Sequence, residues 1–138
     1  MNSLPENIDG KNSGFSFHKN ERLCSKKVID KLFAEGKSFF VYPVKIVYLE
    51  ITLPSKNKVQ AAFTVGKRNF KKAVQRNLIK RRMREAYRLN KQKLNGDNVE
   101  KQLAIFFIYT GKTITEYKQI ETAIIKGIKK LNELQKEK

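Results

Sequence analysis

One cysteine, Cys24, and one histidine, His18, are all the thiol and imidazole in this 138-residue chain. No internal disulfide can form, and no Cys/His cluster with zinc-ligand spacing exists. Both read as ordinary side chains, a small half-buried thiol and a surface imidazole. Acids are scarce too: 13 Asp+Glu stand against 30 Lys+Arg, for a formal net charge of +17. Paired carboxylates and Ser/His or Cys/His sets are missing, so the sequence offers no candidate catalytic set and no metal cluster of its own. Long apolar runs are also lacking. None approaches the ~18 residues of a membrane span, and Met1 to Ser16 has no signal-peptide core. The chain is read as cytoplasmic, with no membrane partner.

What is present is positive charge. A pI near 10.1 implies a long-range field that attracts phosphate-rich partners, nucleic acid before anionic membrane. The length suits one domain, and 40% hydrophobic residues suffice for one modest core. Residues 1–16, with Gly10, Gly14 and Pro5, lack packing material and read as a flexible tail before a single domain at 17–135.

Ser25 is placed to cap a short amphipathic helix with Val28, Ile29, Leu32 and Phe33 on one face, ended by Gly36 in a left-handed conformation. Phe39 to Leu53 is rich in aromatic and β-branched residues, and Pro43 divides an edge piece from the stronger run starting at Val44. Pro54 to Asn57 signals a turn into Val59–Val65, which alternates with Val59, Ala61, Phe63 and Val65 on one face. The expectation is an antiparallel hairpin. Leu103–Tyr109 is apolar throughout, as befits a strand covered on both sides in the middle of the sheet or beside the helices. Thr113 and Glu116 suggest a capping box before a long helix bearing Tyr117, Ile120, Ile124, Ile128, Leu131 and Leu134. The order is α-β-β-β-α-β-α, an α+β two-layer sandwich.

The segment from Gly66 to Asn90 carries most of the functional signal. From Lys67 to Arg88 it holds ten Lys or Arg and one acid, Glu85, which is +9 of the +17. On a helical wheel, Met83, Ala86, Tyr87 and Asn90 fall within about 80° of Ile79 and form a core stripe. The opposite arc carries Asn77, Lys80, Arg81, Arg84, Arg88 and Lys91 without an acid. Charged helix faces are common, but like charges at i, i+4 steps, such as Lys80 to Arg84, work against the helix by a few tenths of a kcal/mol each. A sorted face of this kind calls for a polyanion. Arginine is concentrated here while lysine prevails elsewhere, and guanidinium offers planar, bidentate contacts to phosphate. The lead-in Lys67-Arg68-Asn69-Phe70-Lys71-Lys72 adds cations at a helix N-terminus, where backbone N–H groups already favour an anion.

Phe63-Thr64-Val65-Gly66-Lys67-Arg68, followed by Ala73-Val74-Gln75-Arg76-Asn77-Leu78-Ile79-Lys80-Arg81-Arg82-Met83-Arg84-Glu85-Ala86-Tyr87-Arg88, resembles the signature of the bacterial ribonuclease P protein subunit. Upstream, Glu21-Arg22-Leu23, Phe33, Gly36-Lys37-Ser38 and Pro43 are similar to that family's N-terminal pattern. The resemblance covers about residues 17–131. The family's Arg-Asn-Arg motif is matched by Arg76-Asn77, while Leu78 replaces the second arginine.

The resemblance implies a ribosomal protein S5 domain 2-like fold whose parallel crossover through the basic helix is left-handed, against the usual rule. It implies an accessory subunit of a ribonucleoprotein endoribonuclease, bound to a large catalytic RNA that cuts precursor tRNA to make the mature 5′ end. The chemistry would belong to Mg²⁺ held mainly by the RNA, with no organic cofactor and no protein partner required. RNA contacts are expected at Lys67, Arg68, Lys71, Lys72, Arg76, Asn77, Lys80, Arg81, Arg84 and Arg88. A cleft for the single-stranded 5′ leader between the first helix and the sheet is expected to include Ile29, Phe33 and Tyr48. Two other readings compete: a ribosomal or RNA-assembly protein without an enzymatic role, and a basic helix lying on anionic membrane.

Overall fold

The computed structural model describes residues 21–51, 59–91 and 102–136. The tail at 1–16, His18 and the turn at Pro54–Asn57 lie outside the described residues. The elements are α1 (Lys26–Glu35), β1 (Lys37–Val41), β2 (Val44–Glu50), β3 (Val59–Val65), α2 (Ala73–Asn90), β4 (Leu103–Tyr109) and α3 (Tyr117–Lys136), in the expected order.

Ser25 caps α1 through its Oγ, which accepts the Val28 N–H at 3.3 Å, and the helix buries Val28 and Leu32. Gly36 ends it with φ −71° and ψ 161°, extended backbone in place of the expected left-handed turn. Close approach is what requires the glycine. A Cβ there would strike the Leu32 carbonyl oxygen and stand 2.9 Å from that of Tyr48. Cys24, expected half-buried, is exposed.

The sheet order is β1-β2-β4-β3, with β4 antiparallel to β2 and parallel to β3. This overturns the expected β2–β3 hairpin. The strand that is apolar on both faces takes the position with neighbours on both edges and cover on both faces, burying Leu103, Ala104, Ile105, Phe107 and Tyr109. The reading of Leu103–Tyr109 as a middle strand therefore excludes the pairing of its two neighbours with each other. Pro43 marks the turn between β1 and β2, and its carbonyl accepts both the Thr110 N–H at 2.8 Å and the Thr110 hydroxyl at 3.1 Å. That ties the turn to the end of β4.

On one sheet face, α2 and α3 lie together over Val44, Ile46, Tyr48, Ala61, Ile105 and Phe107. Ile79, Met83, Ile120, Ile124, Ile128 and Leu131 reach 0% exposure there, which confirms the two helical stripes. Phe63 stacks on Phe107 at 5.3 Å with an 11° tilt. On the other face, α1 buries Val28, Leu32, Val47 and Ala104 with Leu23. α3 begins at Tyr117, so Thr113 and Glu116 form no capping box. Instead, the Tyr109 hydroxyl donates to the Thr113 carbonyl at 2.5 Å and bonds Thr115 Oγ1 at 3.1 Å. A buried tyrosine at the strand end thus holds the segment that leads into α3.

Candidate nucleic-acid interface

The N-cap of α2 is Lys72, in an extended conformation with no side-chain cap bond, and the first turn holds no acid. The N-cap side chain thus accepts none of the helix's first N–H groups, and Lys67, Arg68, Lys71 and Lys72, in the chain leading into the helix, are exposed. Phe70 turns inward, 4% exposed, with its ring 5.8 Å from that of Tyr109. The loop is also held by Arg76, which donates from Nη1 to the carbonyls of Phe70 at 2.7 Å and Lys71 at 2.8 Å. Arg76 lies three residues before Ile79, hence on the stripe side of the helix, and it is half-buried. Its role is to shape the cationic loop from within. Sequence reasoning placed it among surface contacts and had no signal for this clamp.

The stripe is as expected, with Ile79, Met83, Ala86, Tyr87 and Asn90 all buried. Opposite it, Asn77, Arg81 and Arg84 are exposed, and Lys80 and Arg88 are half-buried. The arc is not uniform. Arg88 makes a bidentate pair with Glu85, at 2.6 and 3.1 Å. That hydrogen bond holds the Glu85 carboxyl below its ordinary range and raises the Arg88 guanidinium above its own. Lys91 pairs with Glu21. Arg82, on the flank of the stripe, donates to the Thr115 carbonyl at 2.5 Å and braces the loop before α3. Leu78 is half-buried, so the replaced motif position lies beside the arc.

The second sheet face adjoins this loop at the end of β3. Ile29 is half-buried among the residues under α1, and Phe33 is 52% exposed with its ring 5.1 Å from Phe106. Tyr48 is elsewhere. Strand alternation puts it with Val44 and Ile46 on the α2/α3 face, 7% exposed and 5.9 Å from Phe39. The expected placement of Tyr48 in the cleft is therefore corrected, and Val47 is the β2 residue beneath α1. Phe106 and Ile108, both half-buried, complete this face and were not singled out in the sequence. Alternation along Leu103–Tyr109 was the signal that could have found them.

A family model described as Ribonuclease P matches residues 17–132. The chain belongs to the ribonuclease P protein family. The ribonuclease P protein component of Porphyromonas gingivalis W83 is 38% identical over 119 residues, 83% of this chain and 85% of that one. That of Chlorobium phaeobacteroides is 32% identical over 121 residues, 79% and 83% of the two chains. Among solved structures, the RNase P protein of Thermotoga maritima matches with a TM-score of 0.64 at 23% identity, over 80% of this chain and 96% of that one. The Staphylococcus aureus RNase P protein gives 0.63 at 19%, over 82% and 95%. These two likenesses speak for the ribonuclease P protein fold alone. No helix among the described residues is long and apolar enough to cross a membrane.

Proposed function

We propose that this chain binds the catalytic RNA of a cytoplasmic ribonuclease P through the 67–72 loop and the α2 arc, receives the 5′ leader of precursor tRNA beside α1, and assists removal of that leader. The observation that carries the reading is the sorted arc of Lys80, Arg81 and Arg84, joined to a helix N-terminus without a side-chain cap and preceded by exposed cations. Helical RNA offers phosphates and shape more than readable base edges, and such a surface suits both. Arg76 sets the loop so that Lys67, Arg68, Lys71 and Lys72 point outward. Phe33 presents a ring face on which an unpaired base can stack with little sequence preference.

Among the described residues no group of three or more His, Cys, Asp or Glu side chains could hold a metal ion. In this reading Mg²⁺ is held mainly by the RNA, where it would activate the attacking water and stabilise the leaving oxygen. The part of this chain is to bind and orient. Family membership and named relatives favour this reading over a ribosomal or membrane-surface role.

The test is cleavage of precursor tRNA by the cognate RNA at low Mg²⁺, with and without the protein. Cleavage that depends on added protein supports the proposal. Substrate affinity and rate both unchanged by the protein would overturn it.

A further inference from the structure

The segment from Lys67 to Arg88 holds +9 of the formal +17, which leaves +8 elsewhere in the chain. α3 gathers part of it on one side. Lys118, Lys126, Lys129 and Lys130 are exposed, whereas Ile120, Ile124, Ile128 and Leu131, which face the sheet, are sealed at 0%. At 100° per residue the four lysines fall within about 70° of the direction opposite that stripe.

A charged outer side is ordinary for a surface helix when both signs share it. Here one sign prevails. Glu121 turns toward α2, where its carboxylate accepts from the Tyr117 hydroxyl at 3.3 Å and the Asn90 amide at 3.5 Å, which leaves Glu133 as the exposed acid of the helix. Among the described residues, no ion pair joins any of the four lysines to an acid. Lys126 stands three and four residues before Lys129 and Lys130, so like charges meet on neighbouring turns and weaken the helix that carries them. Packing holds the row in place all the same. A Cβ at Gly127 would strike Ile46, so closely does α3 lie on the sheet, and the Lys130 ammonium is set 5.3 Å from the centre of the Phe39 ring.

α2 and α3 cover the same face of the sheet and touch each other, with axes about 8–10 Å apart as packed helices are. The sides opposite their buried stripes therefore point the same way. The lysine row lies beside the arc of Lys80, Arg81 and Arg84, and both look away from α1.

We propose that Lys118, Lys126, Lys129 and Lys130 form a second row of phosphate contacts to the catalytic RNA, which lies across both outer helices and not on α2 alone. The inference rests on the RNA-binding role proposed above and extends it to an element outside the basic segment. Lysine suits such a row, since a point charge on a flexible stem follows a phosphate backbone without demanding one geometry. The 5′ leader is a poor occupant, because its proposed place is the opposite face of the sheet. A membrane is a poor one too: Gln119, Thr122 and Glu133, the other exposed side chains of α3 among the described residues, offer nothing apolar to insert.

The experiment measures affinity of the full-length protein for its catalytic RNA over a series of salt concentrations. With Lys126→Ala, Lys129→Ala and Lys130→Ala combined, the slope of log affinity against log salt should fall by about three, and affinity near physiological salt should drop about tenfold. Arginine at the same three positions should restore both. The melting temperature of the alanine variant should hold, since all three side chains are exposed. A slope and an affinity equal to wild type would overturn the proposal. So would a variant that binds the catalytic RNA normally but, once assembled, holds precursor tRNA more weakly, because the row would then belong to the substrate. Arg84→Ala separates this failure from that of the role beneath it. If its slope falls and that of the triple variant does not, the α3 row alone is lost; if neither moves, the RNA-binding role itself fails.

Discussion

On one face of the sheet α2 and α3 leave Ile46, Ile105 and Phe107 at 0% exposure; on the other, the ten-residue α1 covers Val47 and Ala104 and stops short, leaving Phe33 at 52% and Phe40 at 57%. The same strands build both faces, so residues adjacent in the chain serve different ends. What a side chain contributes, stability or binding, follows from its parity along a strand. α2 repeats the division at helical period, with a stripe that closes the core and an arc that carries charge.

The sealed face should give the largest effect. Phe107→Ala removes a 0%-exposed ring that stacks on Phe63 and meets Tyr87 at 5.5 Å. A loss of about 3–5 kcal/mol is expected in urea unfolding. RNA affinity of the folded fraction should hold. A large loss of affinity in fully folded protein would break the division between the faces.

The half-covered face should respond the other way. Phe33→Ala is expected to weaken binding of leader-bearing precursor tRNA by about 1–3 kcal/mol, the usual worth of one stacked base. Its stability should fall only by about 0.5–1.5 kcal/mol, from the lost contact with Phe106. Tyr48→Ala, on the sealed face, should invert that ratio. Equal ratios for the two variants, from paired melts and binding curves, would mean that parity does not sort function.

Within α2 the arc should be sorted again. Arg84→Ala should lower the slope of log affinity against log salt by about one and leave the melt unchanged, since Arg84 is exposed. Arg76→Ala should also destabilise by about 1–3 kcal/mol, because the two loop carbonyls lose a charged donor. An Arg76→Ala melt identical to wild type would return Arg76 to the surface set.

How far the chain could be read without coordinates follows the range of each interaction. The stripe of Ile79, Met83, Ala86, Tyr87 and Asn90 and the cap at Ser25 are local, so periodicity and spacing disclosed them. The β2–β3 pairing was misread because alternation names a strand's faces but not its neighbours. Only the insertion of β4, from beyond α2, decides that. Tyr48 was misplaced by one residue, enough to move it to the other face. Of the cationic set, Arg81 and Arg84 were legible as exposed charge, whereas Arg76 is diverted to backbone carbonyls and Arg82 reaches a carbonyl 33 residues away. Residue type shows that a guanidinium is present; folding decides what it is given to.

The smallest expected effect concerns the one acid of the basic segment. Glu85 is held below the ordinary carboxylate range by its hydrogen bond from Arg88, so its contribution to stability is complete above the unfolded value near 4.5 and is lost as pH falls through the lowered folded value. The two side chains are 46% and 32% exposed, so solvent screening holds the pair to a few tenths of a kcal/mol. Glu85→Gln should therefore be slightly less stable at neutral pH and should equal wild type once the pH is below the folded value. Its RNA affinity should move in the opposite direction. Arg88, freed from its partner, adds one cation to the arc, and the salt slope should steepen by about one. Glu85 is thus where the stability of α2 and its charge for RNA are set against each other. Titration at two salt concentrations, beside urea melts at neutral and acid pH, checks both signs. If stability and affinity fell together, Arg88 would lie off the RNA face and the arc would end at Arg84.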